Sequence, residues 1–171
     1  MHSHFELFGL PARFVVDGEA LERSYREIQS RVHPDRFAHA GDAERRASLQ
    51  WTTRVNEAFQ ILKNPVTRAK HMLELHGVDV AFETNTAMPS EFLMQQMELR
   101  EALEQATDKK DSSKLDSLRT DLRRSRSSLE SKIAEAIDVK KDYAGAAGLV
   151  RKLQFLDKLD AEIDAAYEVI E

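Results

Sequence analysis

Pro34 constrains the fold of this chain more than any other residue. It separates two runs in which apolar side chains recur at every third or fourth position. Its ring fixes φ, removes a backbone donor and pushes the preceding His33 out of helical geometry. Upstream, Leu21, Tyr25, Ile28 and Val32 are spaced by four, three and four residues, which is one face of a helix. Asp17 stands ahead of them as a helix cap, with Glu19 and Glu22 in the opening turns, where the helix dipole favours carboxylates. The spacing predicts a helix over 19–32. Downstream, Ala47, Trp51, Val55, Ala58, Phe59 and Leu62 form the predicted buried stripe of a second helix over 42–62, ended by Asn64-Pro65.

The same periodicity organises the rest. The apolar start Phe5–Leu10 reads as one helical turn or a tether. A third helix over 66–75 carries Ala69, Met72 and Leu73, with Gly77 as its stop. The pattern then lapses through the turn formers Thr84, Asn85 and Thr86, and Met88-Pro89-Ser90 restarts it. Three more helices are predicted over 90–106, 112–139 and 143–170. Their short connections make them antiparallel neighbours. The second of them carries Leu115, Leu118, Leu122, Leu129, Ile133, Ala136 and Ile137 on one side. The third carries Leu149, Leu153, Leu156, Ile163 and Tyr167. The expected fold is all-α, an N-terminal helical hairpin (1–76), a linker (77–89) and a C-terminal three-helix bundle (90–171).

Composition narrows the function. Hydrophobic residues are 42% and charged residues 32% of 171, so the chain can build a core. It has no cysteine, which excludes disulfides, thiolate metal sites and cysteine nucleophiles. A formal charge of -5 argues against broad nucleic-acid binding, and the basic run Arg123-Arg124-Ser125-Arg126 reads as a solvated helix face. No stretch approaches the roughly 20 apolar residues of a membrane span. The first ten residues lack a secretory or transit pattern, so a cytoplasmic protein with no membrane partner is expected. No cofactor is expected and no metal is assigned. His2 and His4 are expected in a disordered terminus, and His71 and His76, five apart, do not align on a helix.

Two constellations carry chemistry. His33-Pro34-Asp35 holds an imidazole and a carboxylate in a stiff surface turn, with Phe37 as an anchor. Alone, the tripeptide also reads as an ordinary helix end. An acid–base dyad would need companions, and no elbow-type serine motif or glycine-rich phosphate loop is present. The second constellation lies on the helix over 90–106. Phe92, Leu99, Leu103 and Ala106 share one narrow arc, a sufficient core face. Leu93, Met94 and Met97 fall on a different arc beside Glu98 and Glu101, as an apolar patch ringed by charge. Phe155 lies to one side of its own helix's stripe, and the two misplaced groups together predict one shared surface. The alternative is packing on the first domain or a wider core.

The order and spacing of Leu7, Gly9, Leu10, Leu21, Tyr25, His33-Pro34-Asp35, Phe37, Asn56, Ala58, Leu62 and Pro65 resemble the J-domain. That resemblance implies stimulation of ATP hydrolysis by a DnaK-type chaperone. His33, Pro34 and Asp35 would contact its ATPase domain, and Arg23, Arg26 and Arg31 an acidic surface on it. Arg36 stands where Lys is usual, and Glu22 and Glu27 mix the charge of the preceding helix, which points to a dedicated partner. Glu91-Phe-Leu-Met-Gln-Gln-Met-Glu-Leu-Arg-Glu101 and Val150-Arg-Lys-Leu-Gln-Phe-Leu-Asp-Lys-Leu159, with Arg68-Ala69 and Leu75-His-Gly77, resemble the HscB family of iron–sulfur cluster assembly. The resemblance spans nearly the whole chain. It implies the chaperone HscA and the cluster scaffold protein IscU as partners, the latter bound by Leu93, Met94, Met97, Glu98, Glu101 and Phe155. Met97 replaces the usual Leu at similar volume, and Gln154 stands where a basic residue can occur. A J-domain adaptor that delivers a different client is the other reading.

Overall fold

The computed structural model describes residues 2–80 and 88–171. Thr84, Asn85 and Thr86 lie outside the described residues. Regular structure among the described residues is all helical: α1 (His4–Leu7), α2 (Gly18–Val32), a 3-10 turn (Pro34–Phe37), α3 (Asp42–Lys63), α4 (Pro65–Leu75), α5 (Ser90–Asp108), α6 (Ser112–Ala134), a π turn (Glu135–Val139) and α7 (Tyr143–Ile170). The chain divides into two compact units, Met1–Val78 and Asp79–Glu171.

In the first unit, capping sets the helix limits. The Asp17 carboxylate accepts from the Glu19 and Ala20 N–H groups at 3.1 and 3.2 Å and starts α2. Asn64 does the same for α4, accepting from Val66 and Thr67, with Pro65 in the first helical position. α2 and α3 pack as a hairpin. Tyr25 stacks on Phe59 with ring centroids 4.0 Å apart, and its hydroxyl donates to Asn56 Oδ1 at 2.7 Å. Leu21, Val55, Ala58, Phe59 and Leu62 are buried between the helices and α4.

The first half of α3 departs from the predicted stripe. Ala47 and Trp51 are exposed, and Ser48 is buried in their place. The reason is the end of α2, whose last carbonyls have no helical partner. The Ser48 hydroxyl donates to the Val32 carbonyl at 2.5 Å, and the Thr52 hydroxyl, which donates to the Ser48 carbonyl at 2.8 Å, is shared with Val32 at 3.2 Å. At this crossing α3 needs donors more than methyl groups. The terminus also differs from expectation. His4 opens α1 and stacks on buried His71 at 4.2 Å, and its N–H donates to His71 Nε2 at 3.1 Å. A disordered terminus is ruled out for His4 by these contacts.

In the second unit, α5, α6 and α7 form a bundle around Phe92, Leu103, Ala106, Leu115, Leu122, Phe155, Leu156, Leu159, Ile163 and Ala166. α7 packs against both α5 and α6, so it buries two stripes rather than the one predicted. This accounts for Phe155: it faces α5, where it meets Phe92 edge-on at 5.6 Å, and is 8% exposed. Polar pairs fasten α6 to α7. Arg126 reaches Asp157 at 2.9 Å, Arg119 pairs with Asp160 and Asp164, and Tyr167 donates to Asp116. Arg126 is therefore an interhelical contact and not only part of a solvated face. Asp142 caps α7 by accepting from the Gly145 N–H at 2.9 Å. A Cβ at position 145 would collide with that carboxylate.

Candidate functional site

The first candidate site is built from the junction upward. His33 has φ -57° and ψ 134°, the extended geometry that a following proline imposes. Pro34 opens a 3-10 turn, and His33 caps it: its Nδ1 accepts from the Asp35 N–H at 3.2 Å. An accepting Nδ1 places the neutral ring's proton on Nε2. The imidazole edge is half-exposed and the Asp35 carboxylate is 92% exposed, 3.6 Å from Nδ1. The junction thus offers a donor and an anion side by side, on a backbone held by Pro34 and by the hydroxyls that cap Val32. It is an exposed turn, open to docking against a surface. Phe37 is half-buried beneath it.

The arginines before the junction are not equivalent. Arg26 is paired with Glu22 at 2.7 Å and Arg31 with Glu27 at 2.5 Å, both one helical turn apart. Arg23 has no ion pair among the described residues. All three are exposed. Such pairs contribute little to stability in water, but they occupy two of the three arginines of α2, whose three glutamates already bring its formal charge to zero.

The second candidate site is the outer face of α5. Leu93, Met94 and Met97 are 43, 61 and 71% exposed, against 8% for the neighbouring Phe92. Glu98 and Glu101 are exposed beside them. Phe155 is not on this face. It forms the floor of an adjacent groove of about 290 Å³ between α5 and α7, lined also by Met88, Leu93, Gln96, Arg100, Arg151, Gln154 and Lys158. Arg100 lies over the Phe155 ring at 5.4 Å and holds Glu162 through two contacts of 2.8 and 3.0 Å. The structure brings Leu93, Met94, Met97, Glu98 and Glu101 together and sets Phe155 behind them. Sequence spacing missed Arg100, Arg151 and Lys158. The signal was present, since 151, 154, 155 and 158 share a helix face.

Ionisation is perturbed away from both sites. Burial, followed by the charge of His4, pushes His71 down to about 4. Burial and then Arg54 lower His4. Burial raises Asp157 despite Arg126.

Comparison with known proteins agrees over both units. The family described as the HSCB C-terminal oligomerisation domain matches residues 88–164. A "Co-chaperone protein HscB homolog" of Azoarcus sp. (strain BH72) is 49% identical over 168 residues, covering 98% of this chain and 95% of the relative. The protein of that name from Burkholderia thailandensis is 50% identical over 169 residues, covering 99% and 96%. Among solved structures, "Chaperone HscB from Vibrio cholerae" is 34% identical, with a TM-score of 0.89 over 99% of this chain and 100% of that one.

Proposed function

The chain belongs to the HscB family of J-domain co-chaperones, and from that premise we propose that it is a two-ended adaptor in iron–sulfur cluster assembly. The first unit engages a specialised DnaK-type chaperone, HscA, and stimulates its ATPase. The second holds the scaffold protein IscU and brings it to the chaperone in the cytoplasm. The observation that carries this reading is the placement of two unlike surfaces on separate compact units, a polar turn at His33–Asp35 and an apolar face at Leu93, Met94 and Met97. Joining two ligands through one chain raises the local concentration of one at the other without chemistry of its own. ATP is hydrolysed on the partner, and the adaptor needs no cofactor. Among the described residues, no helix is long and apolar enough to cross a membrane.

At the first end, the His33 Nε2–H and the Asp35 carboxylate meet the chaperone's ATPase domain, Pro34 fixes their separation, and Arg23 supplies the main uncompensated charge. Arg26 and Arg31 join only if they leave Glu22 and Glu27, which favours a partner able to compete for them. At the second end, Leu93, Met94 and Met97 pack on the scaffold, Glu98 and Glu101 flank them, and Phe155 supports the patch from behind.

His33→Gln should abolish stimulation in a steady-state ATPase assay while leaving scaffold affinity unchanged by calorimetry. Full stimulation by the variant would remove the junction from the mechanism. Equal capture of IscU and of unfolded model clients would favour an adaptor for a different client.

A further inference from the structure

The groove between α5 and α7 has a charge pattern that the apolar face does not explain. Three cations line it: Arg100, Arg151 and Lys158. Arg100 is neutralised by Glu162. The other two are not. Asp157, Asp160 and Asp164 on α7 are engaged by Arg126 and Arg119 of α6, and no ion pair among the described residues includes Arg151 or Lys158. Arg151 Nε is shielded from solvent and has no hydrogen-bond partner among the described residues. The Nε atoms of Arg119 and Arg126 are shielded in the same way, but their terminal nitrogens hold carboxylates of α7, so Arg151 is an arginine of the same setting that lacks an acid among the described residues.

The groove opens directly onto the apolar face through Leu93, which belongs to both. Stepping around α5 at about 100° per residue, Arg100 and Leu93 border the groove, Met97 follows, and Glu101 and then Glu98 lie beyond it. The surface therefore reads base, apolar, acid from α7 across α5. A complementary protein surface reads acid, apolar, base. The apolar middle and the acidic far edge disfavour a polyanion such as nucleic acid, which would meet repulsion from Glu98 and Glu101.

We infer that Arg151 and Lys158 form a carboxylate-binding subsite, which takes an Asp or Glu side chain of the scaffold partner while Leu93 and Met97 take its apolar group. This rests on the reading of α5 as the scaffold-binding face, and it adds register: a neutral apolar knob could dock on Leu93 and Met97 in several rotations, whereas one that carries a carboxylate on one side docks in one. A guanidinium receives a carboxylate through paired N–H donors, and the ammonium of Lys158 adds an unoriented charge.

Three variants of the full chain are titrated with IscU in a calorimeter at about 50 and 300 mM salt. Arg151→Gln/Lys158→Gln should lower affinity about tenfold at low salt and flatten its salt dependence, with an unchanged thermal midpoint. The charge-conserving Arg151→Lys/Lys158→Arg should keep most of the affinity, which a merely structural role would not predict. Leu93→Ala/Met97→Ala should weaken binding at both salt concentrations alike. If the Gln variant binds within twofold of wild type while the Ala variant is weakened, the subsite is refuted and the scaffold-binding face stands. If the Ala variant also binds normally, the face is refuted and the subsite falls with it. Restoration of binding between Arg151→Glu and a scaffold Asp→Lys or Glu→Lys variant would identify the acid.

Discussion

At the His33 junction the exposed groups are polar and the backbone beneath them is fixed several times over. Pro34 sets one dihedral, the imidazole caps its own turn, and two hydroxyls from α3 hold the end of α2. On the outer face of α5 the exposed groups are apolar, and two of the three are methionines with freely rotating thioethers. The helix beneath fixes where they start, and their exposed ends stay adaptable. On the proposed reading, the junction presents one geometry and selects for it, whereas the α5 face adapts its shape and depends on the groove beside it for register. Damage should spread differently in the two. The junction is vulnerable through supporting residues out of contact with any partner, and the α5 face through its floor.

The largest expected effect is at that floor. Phe155→Ala removes a ring packed on Phe92 and under Arg100 and should cost about 3 kcal/mol in urea unfolding. Met97→Ala, on a residue 71% exposed, should cost less than about 0.5 kcal/mol. Similar costs would mean that the face is core and not surface.

Acid should separate the two units next. His71 titrates near 4 when folded and near 6.5 when unfolded, so between those values the unfolded chain binds more protons. That contribution is intact above about pH 6.5 and is lost as the pH falls towards 4, on the order of 3 kcal/mol in all. Asp157 acts in the opposite sense: its raised value makes the folded state the better proton acceptor, so acid relieves a cost in the second unit. The only tryptophan, Trp51, reports on the first unit. Its fluorescence should therefore change at a higher pH than helical circular dichroism does. Coincident transitions would show that the units unfold as one.

Ser48→Ala comes third. It strips the Val32 carbonyl of its shorter hydrogen bond and should cost about 1–2 kcal/mol. It should also lower ATPase stimulation, although Ser48 itself is buried. Ser30→Ala, on the exposed side of α2, is the control and should change neither. Normal stimulation by Ser48→Ala would mean that the junction is not held from α3.

The smallest effect concerns turns. The first unit places Gly9 and Gly77 where φ is 63° and 75°, whereas the second places Lys110 and Lys141 at 52° and 56°. A side chain in that region is strained. Lys141→Gly should raise stability by about 0.5–1 kcal/mol in thermal melts, and Gly77→Ala should lower it by a similar amount. Opposite signs would remove the contrast.

Much of this was legible in the sequence because caps and periodicity are local. Asp17 and Asn64 start their helices and Gly77 follows the end of α4 where their chemistry requires, and the bounds predicted for α7 are those found. What spacing could not give depended on the number of neighbours. A single stripe on α7 assumes one partner helix; with two, Phe155 moves from anomaly to floor. Period alone places Ala47 and Trp51 in the core, but the carbonyls at the end of α2 decide that Ser48 goes there instead. His4 needed His71, 67 residues away, to become ordered. For the candidate sites, the junction and the α5 face were readable as motifs. The basic groove was only half readable: 151, 154, 155 and 158 share one face of α7, but the opposite wall comes from α5, roughly 50 positions earlier in sequence.

The hydroxyls that cap Val32 have a mechanical meaning. An ordinary helix end is a hinge, free to swing about its last turn. Here two struts from α3 close a triangle on it, so a pull at His33 is transmitted along both arms of the hairpin and cannot be absorbed by fraying α2. A partner that grips the turn thereby grips the whole first unit, and can move it as one piece.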